Sequence, residues 1–550
     1  MRKWLTFWCA DDALIMKLLL LALLALCASD LQAAESWTQE SDRGGLMVHI
    51  EPVGQRVQIG EFQAWYLRLT DAQKTPIRGA RILVGGGMRG HGHGLPTQPQ
   101  VVEQMQAGTY LIEGLRFNMA GDWTLAFSID SAQARDRVLF ELSLSHQSQF
   151  DAQALIGMVI DQGWQPAPSV SNRFADDRNA ARLGEQLFHD TNLSGNGEVS
   201  CATCHQPERF FTDGKRLGQG LGHAMRNTPG LIGVSEQSWF YWDGRRDSLW
   251  SQALVPFEAA EEMGSSRVAI VRHIARDPGY RAQYEAIFGD LPDFAIDTLP
   301  EHAGPIGDAA SKDAWYRLPR ATQGDVNAVF VNLGKSIEAF QRALPAPMSR
   351  FDKHVISQIV GDVGHGLAAD HQSELAEVGL SESESAGLAL FLDDEKTNCM
   401  RCHNGQWFTN QGFHNIGTGG FSGDRLDFGR VYGLQAAIRD EFNCLGPYSD
   451  APREACKELI YLSSSAHVPL EGAFKVPTLR NLTQTAPYMH DGRFATLEAV
   501  VEHYRNPPTE GPPHELQPLA LTDQEAGHLV AFLKSLSAPS LPAYPRNVSP

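Results

Sequence analysis

The chain has 550 residues, of which 43% are hydrophobic and 20% are charged, so its composition is that of a folded protein of several domains and not of a disordered or fibrous chain. Acidic residues outnumber basic ones by 65 to 46, which gives a formal net charge of −19. A chain this acidic has no general electrostatic attraction for DNA or RNA, so nucleic acid is excluded as an expected partner.

The N-terminus has the pattern of an export signal. A positive charge precedes a short apolar run, Leu18–Ala28, and small residues follow it, which predicts a signal peptide over 1–34. Acidic residues ahead of the run favour Met16 as the true start. The run is shorter than the roughly 20 residues of a membrane span, so we expect a soluble periplasmic protein with no transmembrane span after signal removal. Lipidation at Cys27 is the alternative.

Short segments of alternating hydrophobicity, separated by turn residues, fill residues 36–146. This pattern predicts a small all-β antiparallel sandwich. The predicted strands are Leu46–Ile50, Ala64–Leu69, Ala80–Val84, Gly108–Ile112, Asp122–Ile129 and Val138–Leu144. The segments Gly85–Pro96 and Phe117–Trp123 resemble the exported sandwich domain called YtkA-like.

Four side chains of this region are of the soft or borderline kind that binds copper: Met88, His91, His93 and Met119. The alternative is a glycine-rich hairpin whose histidines are solvated, with Met119 and Trp123 in the core. We favour that alternative, and therefore expect no copper at the N-terminal domain.

Helical periodicity replaces the alternating pattern after a proline-containing linker. We predict two mostly α-helical domains, over 172–360 and 380–540, with a surface insertion at 291–325. The predicted helices are Ala180–Phe188, Val268–Ile287, Val326–Ala343, Glu382–Asp393, Leu497–Tyr504 and Asp523–Leu536.

The string Cys-x-x-Cys-His occurs twice, at Cys201, Cys204 and His205 and at Cys399, Cys402 and His403. The spacing lets two thiols reach the two vinyl groups of one porphyrin while the adjacent histidine turns back to the iron. Two copies predict two covalently bound haems c, with His205 and His403 as iron ligands. The alternative is a zinc or thioredoxin-like site, but zinc usually takes four ligands and each string offers three.

Two further cysteines, Cys444 and Cys456, lie close together in the chain. In an exported protein, a pair that closes a short loop is typical of a disulfide. Two free thiols are the alternative.

Several stretches resemble the bacterial di-haem cytochrome c peroxidases and their relative, the methylamine-utilisation di-haem enzyme MauG. They are Leu183–Asp190, Leu193–His205, Arg226–Pro229, Trp242–Arg245, Val476–Asn481 and Thr485–Gly492. The resemblance covers the chain from about 175 to 540. It implies an oxidoreductase with two c-type cytochrome domains, in which the first haem meets hydrogen peroxide and the second relays electrons from a protein or small-molecule donor.

The resemblance also implies roles for residues around the first haem. Trp242 matches the aromatic residue between the two haems. Gln252, Pro256 and Glu262 match the distal pocket, and Glu262 resembles the group that moves a proton between the two peroxide oxygens. His223 resembles the residue that occupies the sixth position of the first iron in resting peroxidases, although a solvated loop histidine is the alternative.

A calcium ion between the haems is a further implication. Asn227, Thr485 and Pro487 match its protein ligands, one side-chain oxygen and two backbone carbonyls, which are the hard oxygen ligands that calcium prefers. Ordinary turn chemistry is the alternative for each of the three.

The sixth ligand of the second iron separates the two relatives, because the peroxidases have Met in that position and MauG has Tyr. In this chain the position falls on Tyr504. Met489 and His503 are the alternative ligands. A Tyr ligand favours ferric iron, whereas Met raises the reduction potential.

Three functions therefore compete. The first is a MauG-like oxidoreductase that reacts with hydrogen peroxide. The second is a cytochrome c peroxidase supplied by a soluble cytochrome. The third is a non-enzymatic electron-transfer or metal-binding protein, which would need no distal acid/base group such as Glu262.

Overall fold

The computed structural model describes residues 35–54, 56–88, 93–144, 166–293, 296–363, 379–422, 425–462, 470–510 and 513–541. The predicted signal peptide and His91 lie outside these residues. The fold class predicted from sequence is confirmed: an N-terminal all-β region is followed by a long, mostly helical region.

Two antiparallel sheets form the N-terminal sandwich. One has the strand order β1-β2-β3-β7-β6 and the other β5-β4-β8-β9. The strands are β1 (Trp37–Glu40), β2 (Leu46–Pro52), β3 (Gln63–Asp71), β4 (Arg81–Met88), β5 (His93–Gly94), β6 (Gln100–Gln106), β7 (Thr109–Leu115), β8 (Gly121–Asp130) and β9 (Arg135–Leu144). Strand β2 alternates between buried and half-buried residues, as the period of two along a strand requires.

Helices dominate the remainder. They are α1 (Arg178–His189), α2 (Cys201–Cys204), α3 (Leu249–Glu258), α4 (Arg267–Arg276), α5 (Pro278–Phe288), α6 (Ala309–Arg317), α7 (Arg320–Arg342), α8 (Arg350–Val363), α9 (Glu382–Phe391), α10 (Arg430–Arg439), α11 (Lys457–Ile460), α12 (Leu497–Arg505) and α13 (Asp523–Ser535). Two short antiparallel pairs add the remaining strands: β10 (Phe413–His414) with β13 (Phe474–Lys475), and β11 (Gly420–Ser422) with β12 (Arg425–Asp427).

The first helical core forms around α7, which packs against α1 and α3. The backbones of α1 and α7 meet at Gly184, where a Cβ atom would overlap the carbonyl of Ser336. The segment predicted as a surface insertion contributes to this core, because Leu299 and Trp315 are buried in it. The polar, glycine-rich composition of the segment conceals these two anchors.

A second helical core lies between α8, α9, α12 and α13. Phe351 of α8 contacts Phe408 and Phe532 at ring-centroid distances of 5.7 and 5.6 Å, and the buried carboxylate of Asp352 pairs with Arg480 at 2.8 Å. Helix α8 therefore packs with the C-terminal core, although the boundary predicted from sequence places its first residues in the first domain. Each helical core is next to one Cys-x-x-Cys-His string.

Candidate active site

The first string is held ready for a haem by local backbone bonds. Ser200 and Thr203 form a capping box around α2, and the amide of His205 donates to the carbonyl of Cys201 at 2.9 Å. The Nδ1 atom of His205 lies 2.9 Å from the carbonyl of Phe211. An Nδ1–H donating to that carbonyl leaves Nε2 unprotonated, which is the form that binds iron.

The second string repeats this arrangement. The amide of His403 donates to the carbonyl of Cys399 at 2.9 Å, and Nδ1 lies 3.0 Å from the carbonyl of Phe408. None of the four cysteines of the two strings is in a disulfide, and desolvation lowers the pKa of His403 to about 4, which keeps it neutral. Two thiols and one oriented neutral imidazole in each string fit a covalently attached haem.

The helix α3 carries the predicted distal residues. Pro256 lies inside it and has no N–H, so the carbonyl of Gln252 four residues earlier loses its helical partner. The hydroxyl of Tyr241 lies 3.4 Å from that carbonyl. The guanidinium of Arg245 stacks on the Tyr241 ring, 3.4 Å from its centroid.

Glu262 follows α3 on a turn that faces the first string. Burial raises its pKa, and the positive charge of Arg245 opposes that rise. Burial raises the pKa of the Cys201 thiol to about 12 and that of the Tyr241 hydroxyl to about 12. The charge of Glu262 is the second largest cause of both shifts. The carboxyl group therefore lies within electrostatic reach of the position where the first haem attaches.

His223 is on a loop that packs on the same turn. The amides of Leu221 and Gly222 donate to the carbonyls of Glu262 and Glu261, both at 2.9 Å. His223 itself is exposed. The structure thus ties the His223 loop to the Glu262 turn, and the role of His223 as an iron ligand stays a prediction.

Trp242 joins the two helical halves. Its indole Nε1 donates to the carbonyl of Asn227 at 3.0 Å, and its own carbonyl accepts from the amide of Lys475 at 2.8 Å. The amide of Asn227 in turn donates to the carbonyl of His490 in the C-terminal half, at 2.8 Å.

Thr485, one of the predicted calcium ligands, lies close to the loop that follows Asn227, another of them. A Cβ on Gly230 would lie 3.4 Å from the Cγ2 atom of Thr485, and Pro487 follows two residues later on a cis peptide bond. The side-chain Nδ2 of Asn227 donates to the carbonyl of Lys215 at 2.9 Å, which leaves Oδ1 as the atom for a cation. Within the described ranges, no cluster of three His, Cys, Asp or Glu residues suits a metal ion.

Two of the three candidate ligands for the sixth position of the second iron, His503 and Tyr504, are adjacent on α12. His503 is buried on α12 and its Nε2 lies 2.8 Å from the carbonyl of Ile416, so this nitrogen already has a partner. Burial raises the pKa of Tyr504, and the charges of Cys402 and Cys399 raise it further. Its hydroxyl is therefore within electrostatic reach of the second string. Among the residues that the structure describes, none forms a hydrogen bond with that hydroxyl.

Comparison with known proteins decides the family. Residues 178–358 match the family model of the di-haem cytochrome c peroxidases. The methylamine utilisation protein MauG of Methylorubrum extorquens is 30% identical over 360 residues, which cover 65% of this chain and 77% of the relative. This chain belongs to the di-haem cytochrome c peroxidase family.

Other relatives carry both family names. MauG of Methylophilus methylotrophus is 29% identical over 381 residues, covering 68% of this chain and 87% of the relative. The cytochrome c551 peroxidase of Nitrosomonas europaea is 26% identical over 401 residues, covering 72% and 90%. A solved MauG-like protein associated with microbial copper homeostasis shares 26% identity, covers 70% of this chain and 98% of its own, and has a TM-score of 0.46.

Membership in this family makes the protein an oxidoreductase with two haems c, and the resemblance stated from sequence is confirmed. The family is typically periplasmic. Across the described part of the chain, no helix is both long and apolar enough to cross a membrane.

Sequence reasoning missed the buried charges around the di-haem peroxidase site. Arg226 forms ion pairs with Asp243 and Asp427, both at 2.7 Å, and so connects the two halves beside Trp242. Tyr241 and Arg245, described above, were also not recognised as neighbours of Glu262. The Arg226–Pro229 and Trp242–Arg245 stretches pointed to Arg226 and Asp243. The pairing of Arg226 with Asp427, 201 residues away, is not visible in one sequence.

Two remaining sequence predictions concern sulfur. Cys444 and Cys456 form a disulfide with an S–S distance of 2.03 Å. Met119 and Trp123 are buried in the core of the sandwich, as the hairpin alternative expects, and Met88 is buried there as well. The side chains of His91 and His93 lie outside the described residues.

Proposed function

We propose that this protein is an exported, MauG-like oxidoreductase that reacts with hydrogen peroxide at its first haem and exchanges electrons through a second haem ligated by Tyr504. The observation that carries the proposal is the position of Tyr504. It lies close to the second string without a hydrogen-bond partner among the described residues, whereas the neighbouring His503 already contacts a backbone carbonyl.

The bound haems supply the redox chemistry, in which one hydrogen peroxide takes up two electrons and two protons to give two waters. The protein supplies the proton path. Glu262, when ionised, would accept a proton from one oxygen of hydrogen peroxide and return it to the other, which could then leave as water. The opposing effects of burial and of Arg245 on its pKa suit a group that must both take and release a proton.

Gln252 and Pro256 shape the pocket that Glu262 faces. The proline has no amide donor for the carbonyl of Gln252, and that carbonyl contacts the hydroxyl of Tyr241 instead, at 3.4 Å. Tyr241, packed under Arg245, closes the side of the pocket toward Trp242. We infer that this wall excludes water and orients the peroxide toward Glu262.

Trp242 is proposed to couple the two haem sites, and a calcium ion bound by the Oδ1 atom of Asn227 and the carbonyls of Thr485 and Pro487 is proposed to stabilise their junction. Asn227 comes from one half and the other two from the second half, so a cation there would join the halves. The donor set is made only of oxygen atoms, which suits calcium and not a softer metal.

A cytochrome c peroxidase that receives electrons from a soluble cytochrome is the second candidate. It is favoured by the relatives of that name, such as the cytochrome c551 peroxidase at 26% identity. A purely non-enzymatic electron-transfer protein is disfavoured, because it would need no Glu262 in a buried turn beside the first string.

Redox titration under anaerobic conditions, followed by optical and EPR spectra of each haem, tests the proposal. We expect the second iron to stay ferric at potentials at which a Met-ligated haem is reduced, because phenolate stabilises the ferric state. A Met-type charge-transfer band, or fast turnover with reduced cytochrome c, would establish the peroxidase instead. The electron donor is then identified by comparing reduced cytochromes and small reductants.

A further inference from the structure

The N-terminal sandwich has no role in the reaction proposed above, yet it contacts the C-terminal half closely. Its partner is the segment Cys456–Leu462, which begins at the disulfide. The hydroxyl of Tyr461 donates to Glu113 of the sandwich at 2.8 Å, and the carbonyl of Tyr461 accepts from the amide of Gln98 at 2.8 Å. Gly114 packs so closely on the Tyr461 ring that a Cβ atom would overlap it.

Glu458 is the charged centre of this contact. One carboxylate oxygen pairs with Nη1 of Arg116 from the sandwich at 2.7 Å, and the other accepts from Nε1 of Trp239 at 3.0 Å. The Arg116 side chain is only 13% exposed and that of Glu458 25%. A charge-assisted bond at this burial is strong, and the loss of Arg116 leaves the carboxylate of Glu458 without this opposite charge.

Trp239 connects Glu458 to residues close to Trp242. The guanidinium of Arg430 lies 4.2 Å from the Trp239 ring centroid, and its Nη1 donates to the carbonyl of Gly244 at 2.7 Å. Gly244 belongs to the Trp242–Arg245 stretch. A chain of direct contacts therefore runs from Arg116 of the sandwich to the residues that follow Trp242.

A second contact reaches the second haem string. The carbonyl of Asn118 in the sandwich lies 3.5 Å from Nδ2 of Asn404, the residue after His403. The side-chain amide of Asn118 faces Gly412, where a Cβ atom would lie 3.3 Å from it. Asn118 is buried, and its Oδ1 has no hydrogen-bond partner in the described structure.

From these two contacts we infer that the sandwich is a fixed, intramolecular partner that positions the second haem string and the Trp242 stretch. The surface that it fits is the one formed by Glu458, Tyr461 and Asn404. Hydrogen bonding and burial around an axial histidine set the potential of its haem, so Asn118 and Arg116 act as positioning residues for the second haem. This inference rests on the proposed function only in assigning the second string an electron-exchange role.

The first test measures docking and does not depend on haem chemistry. A recognition site for a specific protease is inserted between residues 150 and 160 of the holoprotein, the chain is cut there, and gel filtration measures how much sandwich stays attached. We expect the cut sandwich to co-elute. Arg116→Met should release it roughly tenfold more readily, since a buried charge pair is broken, and Arg116→Lys should largely restore retention. Arg68→Met removes an exposed ion pair with Glu51 on the same domain and serves as control.

The second test measures positioning. Asn404→Ala, which removes the side-chain donor to the carbonyl of Asn118, and Arg116→Met should shift the midpoint potential and the EPR signal of the second haem, while the first haem keeps its signal. Immediate separation of the cut sandwich from the unmodified protein, or second-haem signals that neither substitution moves, would overturn the inference. If the second haem proves to have a Met ligand, the MauG-like function fails, but retention and the shift of that haem still decide the role of the sandwich.

Discussion

The indole nitrogen of Trp242 donates a hydrogen bond of 3.0 Å to the backbone carbonyl of Asn227. Trp242 is proposed to couple the haems, and Asn227 is a proposed calcium ligand. The hydrogen bond thus ties the Trp242 side chain to the backbone of Asn227. Because the side chain of Asn227 is anchored to Lys215 and its amide to His490, a change at the cation site would be transmitted to the orientation of Trp242.

The first prediction concerns calcium. Removal of calcium by prolonged chelation should weaken the coupling between the haems and lower activity, and Asn227→Ala should reproduce the effect, since it removes Oδ1 but keeps the carbonyl that accepts from Trp242. The measurements are EPR spectra of both haems and peroxide turnover, before and after chelation. Calcium, but not magnesium, should restore the chelated protein. Spectra and turnover that chelation leaves untouched would remove the bridging cation from the scheme.

The second prediction concerns Glu262. Glu262→Gln should slow the reaction with hydrogen peroxide by about 10²–10⁴-fold, the usual contribution of a general acid/base group, with little change in the resting spectra. Stopped-flow mixing with peroxide measures the rate. The adjacent, exposed Glu261 offers a matched control, because Glu261→Gln removes the same charge next to the pocket. Equal rates in the two variants would exclude Glu262 from the mechanism.

The third prediction gives the sign of the pH dependence. If ionised Glu262 accepts the proton, the peroxide reaction should accelerate as pH rises through its pKa, and burial places that midpoint above the ordinary carboxyl value. Arg245 favours the ionised form, so Arg245→Gln should move the midpoint further up. Glu261→Gln removes a like charge and should move it down. The measurement is the peroxide reaction rate between pH 4 and 9, roughly the range around a perturbed carboxyl. A midpoint that neither Arg245→Gln nor Glu261→Gln moves would contradict the assignment of the titrating group to Glu262.

The fourth prediction concerns the second iron. Tyr504→Met should raise its potential and increase the rate with reduced cytochrome c, because a thioether stabilises ferrous iron better than phenolate does. His503→Gln is the control: it removes the contact with the carbonyl of Ile416 and should leave the ligand spectrum as it was. The reverse pattern, with His503→Gln changing the spectrum and Tyr504→Met leaving it, would assign the ligand to His503.

The fifth prediction concerns stability. Cys444→Ser with Cys456→Ser opens a loop between residues 12 apart, and loop-closure entropy predicts a loss of about 3 kcal/mol from the free energy of unfolding. Denaturant titration measures it. The nearby contacts of Glu458 and Tyr461 should loosen as well, so the cut sandwich should be retained less. An unfolding midpoint equal to that of the unmodified protein would show that the disulfide contributes nothing.

Local features of the sequence determined much of this protein. The Cys201–His205 and Cys399–His403 strings need only five consecutive residues, because the spacing of the thiols and the imidazole is itself the haem-binding device. The strands β2, β3 and β8 could be predicted since their alternation of buried and exposed residues is written in neighbouring positions. The short β1 lies outside the prediction, because three of its four residues are exposed and its pairing with β2 decides its structure.

Tertiary structure decided what depends on residues distant in the chain. The polar segment around Trp315 joins a core where its ring meets Arg267 of α4, 5.4 Å from the ring centroid, and α8 packs with the second half through Phe351. The different surroundings of His503 and Tyr504, adjacent on α12, follow from the position of the Ile416 carbonyl. The buried contact of Arg116 with Glu458 joins residues 342 apart. A charged side chain becomes buried and paired only when folding brings its partner to it. The residues next to it in the sequence therefore cannot predict the pair.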